Sequence, residues 1–275
     1  MKIIVISLPD SPRRKFIERQ FRSLKIEFDF FDAINGKSLS ASEMSLCDTN
    51  AIQNNPRWLN LGAIGCALSH YFVYRKMLDD NIDRAIVMED DMIITKNSLA
   101  TIDALSKRDL KEEIILLYYR SGKRISLSIP DHEDVGGVKL LAPYSIQDIP
   151  TAAGCYYITR QSCEKLANFI LPIRVTADSW GYFVERANLR GFLVAYPRIV
   201  EYAGFKSEIG YHDMYSGKLM KLMKRVFDRI DFFPVNLILR ARRKAIEDRM
   251  SNFDLTDMPS VLYDSLAQRT SPDDH

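Results

Sequence analysis

Ile3-Ile4-Val5-Ile6-Ser7-Leu8 is a short apolar run rich in β-branched residues, closed at once by Pro9-Asp10-Ser11-Pro12. Uninterrupted apolar character suits a strand covered on both faces, as in a parallel sheet. The proline-rich break ends it, and residues 13 to 25 then place Phe16, Ile17, Phe21 and Leu24 at helical spacing. Residues 27 to 31 read as a second strand, and Asp32-Ala33-Ile34-Asn35-Gly36 as the turn that ends it. A β-α-β opening of this kind builds a parallel sheet with a ligand crevice at the carboxyl ends of its strands.

The rest of the chain extends that pattern. Residues 61 to 78 predict a helix entered through Gly62-Ala63-Ile64-Gly65. Residues 84 to 88 predict a strand that runs straight into Glu89-Asp90-Asp91. Strands are expected at 113 to 119, 152 to 159 and 192 to 196, and helices at 161 to 170 and 180 to 189. Residues 121 to 144 are richer in turn formers and predict a hairpin or loop region. No internal repeat or low-complexity segment is visible. The fold class is α/β, with a first domain over 1–215 and an extension over 216–275.

The extension has a different composition. Between Lys218 and Arg249 there are ten Lys or Arg against four acids, net +6, so the remainder of a chain with net charge +2 carries −4. Leu219, Leu222, Met223, Val226, Phe227, Ile230 and Phe233 recur at three- and four-residue spacing among the basic residues, which predicts an amphipathic helix. Pro234 interrupts it, a second helix is expected over 237 to 250, and the tail is polar. Residues 218–249 suit an anionic membrane surface, or packing on the first domain or on another subunit in an oligomer. Nucleic acid is disfavoured, because no aromatic-interleaved pattern accompanies the charge.

The totals fit an enzyme-sized globular protein: 275 residues, 47% apolar and 27% charged. Cys47, Cys66, Cys155 and Cys163 form no C-x-x-C pair, and no histidine is read at zinc-ligand spacing beside them. They are expected to be reduced packing residues. No signal peptide and no apolar stretch long enough to span a bilayer is seen. A cytoplasmic location is expected, with any membrane contact peripheral and on the cytoplasmic face of the inner membrane.

The chemistry concentrates at Glu89-Asp90-Asp91. Three acids at the rim of a buried strand repel one another, and one of them protonates unless a cation neutralises the group. A hard divalent ion, Mg²⁺ or Mn²⁺, bound through one or two carboxylates and substrate phosphates, is the natural neutraliser. The plainer alternative is a solvated turn with capping acids.

Four segments in order now carry a resemblance: Ile4-Val5-Ile6-Ser7-Leu8 with Ser11-Pro12-Arg13-Arg14, then Phe30-Phe31-Asp32-Ala33-Ile34-Asn35-Gly36, then Gly62-Ala63-Ile64-Gly65-Cys66-Ala67-Leu68-Ser69-His70, then Ala85-Ile86-Val87-Met88-Glu89-Asp90-Asp91. Together they resemble glycosyltransferase family 25, the bacterial lipooligosaccharide galactosyltransferases and their collagen-galactosyltransferase relatives, over roughly residues 1 to 210. The resemblance implies a GT-A type fold, a Rossmann-like mixed sheet flanked by helices. It also implies a UDP-sugar donor, most often UDP-galactose, a divalent metal, and an inverting transfer to a glycan or glycolipid acceptor such as lipopolysaccharide. Other donors, UDP-glucose or an N-acetylated hexosamine, stay open. So does a non-catalytic nucleotide-sugar-binding protein. A nucleotidyltransferase is disfavoured, since Pro9-Asp10-Ser11-Pro12 replaces the glycine-rich loop expected there.

Carried onto this chain, the resemblance makes Asp91 the expected direct metal ligand, shared with Asp90 and completed by His212. Glu89 would reach the ribose or orient a basic side chain. Ser7, Leu8 and Arg13 would form the nucleotide-binding edge, Arg13 or Arg14 meeting phosphate, and Asp32 and Ala33 the nucleoside-contacting turn. His70 is a candidate for the same site, or a core histidine. The base must lie across the sugar from the metal, so Asp178 is the first candidate and Glu185 the second; Asp178 or Ser179 as a helix N-cap is the competing reading. Trp180 and Tyr182 are candidates for stacking on a sugar ring, or for core packing. Gly154 and Cys155 are candidates for a close backbone approach to the donor sugar.

Overall fold

The computed structural model describes residues 1–121, 125–205 and 260–263. In chain order the strands are β1 (Lys2–Ser7), β2 (Asp29–Asp32), β3 (Arg84–Glu89), β4 (Met92–Ile94), β5 (Ile114–Leu116), β6 (Ile125–Val135), β7 (Val138–Pro143), β8 (Cys155–Thr159), β9 (Phe192–Tyr196), β10 (Val200–Tyr202) and β11 (Ser260–Tyr263). The α-helices are α1 (Arg13–Leu24), α2 (Ala41–Ser45), α3 (Thr49–Asn54), α4 (Leu61–Asp79), α5 (Ser98–Ser106), α6 (Arg160–Phe169) and α7 (Trp180–Arg186).

Nine strands form one mixed sheet in the order β11-β6-β7-β9-β5-β8-β3-β1-β2. β1 lies parallel between β2 and β3, as the opening β-α-β reading expects. β8 then enters antiparallel between β3 and β5, and the hairpin β6–β7 extends the sheet beyond β9. Consecutive β1 residues point to opposite faces, and both faces are covered. Ile4 and Ile6 join a core with α4, α6 and α7, while Ile3 and Val5 join a second core with Ile17 and Phe21 of α1. This two-sided burial is why the run is apolar without alternation. Each such side chain, fully buried, contributes about 1.5–3 kcal/mol.

Four local features lay below the sequence pattern. Helix α2 is capped by Ser40 and Glu43 in a reciprocal capping box, and α3 by Asp48, whose side chain accepts from the Ala51 N–H. α5 was not expected, nor was the small antiparallel pair β4–β10. That pair places residues 203–205 next to the acidic corner: the Ala203 N–H donates to the Asp91 carbonyl at 2.7 Å. Of the expected extension, 260–263 are described, as an edge strand paired antiparallel with β6. The basic helices expected over 218–249, and His212, lie outside the described residues.

Candidate active site

The sheet's carboxyl rim opens into a cavity of about 690 Å³. Its walls are the ends of β1 and β3, the turn after β2, and the first half of α4. Two glycines permit that closeness. A Cβ on Gly36 would sit 2.0 Å from the Leu61 carbonyl oxygen, and one on Gly65 would sit 2.7 Å from the Gly36 nitrogen. Ser69 then ties the same turn to α4: its Oγ donates to the Gly65 carbonyl at 2.7 Å and accepts the Ile34 N–H at 2.8 Å. The motifs at residues 32–36 and 62–70 are thus two halves of one packed wall.

The acidic corner divides its labour. Asp90 is buried and its carboxylate takes three protein donors: Ser7 Oγ at 2.6 Å, Ser11 Oγ at 3.1 Å and an Arg13 guanidinium nitrogen at 3.1 Å. It pins β1 and the start of α1 to the end of β3. Asp91 differs. One oxygen is 3.6 Å from Arg13, and the other is buried with no hydrogen-bond partner among the described residues. Burial, then the neighbouring Glu89 charge, pushes its carboxyl up to about 8 against the opposing pull of Arg13. A carboxylate oxygen buried without a donor is costly unless a cation reaches it. Of the three acids, Asp91 fits a hard metal ion best.

Several expected nucleotide contacts are instead occupied by the protein. The Ser7 carbonyl accepts from the Ala33 N–H at 2.9 Å and from Arg14 at 2.9 Å. The Leu8 carbonyl accepts from the Ser11 N–H and from Arg14, both at 3.0 Å. Arg14 also pairs with the exposed Asp32 and lies over the Phe30 ring, so its guanidinium is a clamp on the strand end. Ser7, Leu8, Arg13 and Ala33 do line the cavity; Asp32 does not. Lys37, which sequence reasoning missed, lines it too and is exposed, a cation across from the carboxylates' strand.

His70 is buried, its Nδ1 2.7 Å from the Tyr156 hydroxyl and its Nε2 3.5 Å from Glu89. Glu89 and Cys66 both line the cavity. Asp178 lines a neighbouring cavity of about 540 Å³ with Asn55, Trp58, Thr151 and Thr176. Its carboxylate accepts from Thr176 Oγ1 at 2.5 Å and from the Ala152 N–H at 3.4 Å. Ala152 holds a left-handed backbone, φ 76°, that a non-glycine residue adopts at a cost. Asp178 on its N–H and Trp180 Nε1 on its carbonyl, at 2.9 Å, fix it there. The N-cap position of α7 falls on Ser179 and carries no side-chain capping bond.

Three further residues of the sequence reading have clear places. Trp180 is fully buried against Tyr156, Phe183 and Phe192, so it is core and offers no face to a sugar. Glu185 is exposed beside Arg186 and lines neither of these two cavities. Gly154 makes its close approach to Met92 and Tyr118, 2.8–3.0 Å from a Cβ, which is packing within the protein.

The fold is thus a mixed α/β sheet whose carboxyl rim opens into a cavity lined by Asp91, with its buried and, among the described residues, unpartnered oxygen, and by Lys37. The comparisons make the class particular. Residues 1–180 match the model of glycosyltransferase family 25 (LPS biosynthesis protein), and the chain belongs to that family. Procollagen galactosyltransferase 1-B of Xenopus laevis is 29% identical over 164 residues, 57% of this chain and 26% of that protein. A putative glycosyltransferase of Haemophilus influenzae is 35% identical over 183 residues, 64% of this chain and 60% of that one. The lipooligosaccharide biosynthesis protein lex-1 of the same organism is 31% identical over 116 residues, 34% and 38% of the two chains. The matched part thus spans about a quarter of the procollagen relative's length and less than two thirds of either bacterial one. A glycosyltransferase involved in glycosylating the major capsid of PBCV-1 superposes with a TM-score of 0.34 at 8% identity, over 70% of this chain and 82% of that one.

Proposed function

We propose that this chain is a glycosyltransferase that moves a hexose, galactose first among candidates, from a UDP-sugar to a glycan acceptor of the lipopolysaccharide or lipooligosaccharide type. It works with inversion on a GT-A type scaffold. One observation carries the reading: Asp91 has a buried oxygen with no partner among the described residues, and it lines a cavity together with Lys37 and Arg13. Asp91 would hold Mn²⁺ or Mg²⁺, with Asp90 beside it and His212 completing the set. Such an ion supplies Lewis-acid stabilisation of the charge on the departing diphosphate.

The chain's own groups do the rest. Asp90, locked by Ser7, Ser11 and Arg13, keeps the acidic corner in register. Lys37 adds positive charge along the diphosphate's path. Glu89 accepts from a donor hydroxyl. Asp178 takes the proton of the acceptor hydroxyl as that oxygen bonds to the anomeric carbon and the bond from that carbon to the diphosphate oxygen breaks; the products are glycoside and UDP. Thr176 and the Ala152 N–H aim the carboxylate. The reading places the enzyme on the cytoplasmic face of the inner membrane, with residues 218–249 against anionic lipid.

A donor screen tests it. UDP-galactose, UDP-glucose and UDP-N-acetylhexosamines are incubated with Mn²⁺ and a truncated lipooligosaccharide, and UDP release and product are measured. The expected result is release fastest with UDP-galactose. Binding of UDP-sugars without release or transfer would identify a binder instead.

A further inference from the structure

Cys66, His70 and Glu89 converge at the inner wall of the cavity. Their ligand atoms lie within 4.8 Å of one another. Cys66 and His70 are four residues apart on α4, so they share one helix face, and Glu89 ends β3 opposite them. The reading that no histidine stands at ligand spacing from a cysteine is therefore corrected: the pair was present at i, i+4.

The separations are informative. Cys66 Sγ is 3.7 Å, and His70 Nε2 3.5 Å, from the same Glu89 oxygen, Oε1. The imidazole contact is long for a good hydrogen bond, and the thiol contact is a weak one to the same oxygen. A tetrahedral zinc with bonds of about 2.0–2.3 Å has ligand-to-ligand edges of about 3.3–3.7 Å. The two separations to Glu89 match such edges, and the third, between Cys66 and His70, is within 4.8 Å. Metal-bound histidines are usually oriented through their other ring nitrogen. Here Nδ1 meets the buried Tyr156 hydroxyl at 2.7 Å, itself 3.0 Å from the Tyr74 hydroxyl. The ring is thus aimed with Nε2 toward Glu89. Without a cation, burial and the Glu89 charge hold the Cys66 thiol well above its usual range; a metal ion would take the place of that proton.

We propose that Cys66, His70 and Glu89 form a second cation site, for Zn²⁺, distinct from the hard-cation corner at Asp91. Zinc accepts thiolate, imidazole and carboxylate together, whereas Mg²⁺ and Mn²⁺ favour oxygen ligands and disfavour a thiolate. Cys66 and Glu89 line the cavity, so the fourth position opens toward it. Three protein ligands with an open fourth position characterise zinc sites that take a water or substrate oxygen. The site stands independently of the sugar-transfer reading, because its test needs no substrate.

The test uses the full-length protein stripped of metal and titrated with Zn²⁺ alone, then with Co²⁺ as a spectroscopic stand-in. The expected result is a thiolate-to-cobalt charge-transfer band, which reports the cysteine-bound ion separately from any ion at Asp91. Cys66→Ser abolishes the band, Asp91→Asn keeps it, and Tyr156→Phe, which keeps the ring, weakens Zn²⁺ about ten- to hundredfold. Circular dichroism checks that each variant is folded. Absence of the band from the wild-type protein would overturn the proposal. So would its persistence in Cys66→Ser, or its loss in Asp91→Asn.

Discussion

Replacing Asp91 by Asn should stabilise the metal-free protein, by an amount that grows with pH. In the fold the Asp91 carboxyl is pushed up to about 8, by burial and by Glu89. In the unfolded chain an aspartate titrates near 3.9. Between about pH 4 and pH 8 the native state therefore binds a proton that the unfolded chain lacks, and stability falls as pH rises through that window. Each unit costs about 1.4 kcal/mol, so at pH 7 the penalty has a ceiling of about 4 kcal/mol. Asparagine has nearly the same shape and carries no charge at any pH. Urea unfolding of both proteins in EDTA, from pH 4.5 to pH 8, reads the difference directly. The variant should be the more stable at pH 7–8, and the gap should close toward pH 4.5. Parallel pH profiles, or a variant less stable throughout, would refute the assignment of a strained carboxylate to this position.

Other outcomes follow from the same geometry. A metal ion at Asp91 must displace its proton, so the apparent Mn²⁺ affinity, measured by titration calorimetry, should rise about tenfold per pH unit up to about pH 8 and level off above it. Gly36→Ala would drive a Cβ to 2.0 Å from the Leu61 carbonyl oxygen. Overpacking of this sort costs about 1–3 kcal/mol, seen as a lower Tm, and it should weaken UDP binding because the same turn lines the cavity. Lys37→Ala should leave Tm unchanged and weaken UDP about tenfold or more, the scale of a lost hydrogen bond to a charged group. Asp178→Asn should lower kcat by about a hundredfold or more without a matching rise in donor KM, if its carboxylate takes the acceptor proton.

The parts of this account that were legible early are those where one residue's chemistry conflicts with its neighbourhood. Ile3 to Ile6 had to be covered on both faces, which predicted the parallel centre of the sheet. Three acids after Val87 and Met88 had to meet something positive. What stayed hidden depends on pairings across long stretches of chain. Nothing near Asp90 says that Ser7 and Ser11, some eighty residues earlier, would occupy its oxygens. Lys37 carries no local signal, because a lysine after a turn is usually only a solvated charge; its place follows from Gly36 packing on α4. Trp180 beside Asp178 suited either a sugar platform or the core, and only tertiary packing decides for the core. The Ser40–Glu43 capping box was readable and was passed over, since α2 has only five residues and no apolar period to support it. Taken singly, Cys66 reads as a packing thiol and His70 as a site candidate or a core imidazole, and only the arrival of Glu89 on β3 makes them a group.

The central claim is that Asp91 anchors a metal–nucleotide complex in the rim cavity. Titration of the metal-free protein with UDP, with and without Mn²⁺, tests it most directly. The account predicts that Mn²⁺ tightens UDP binding strongly in the wild-type protein and has little effect in Asp91→Asn. Equal tightening by Mn²⁺ in both proteins would contradict it.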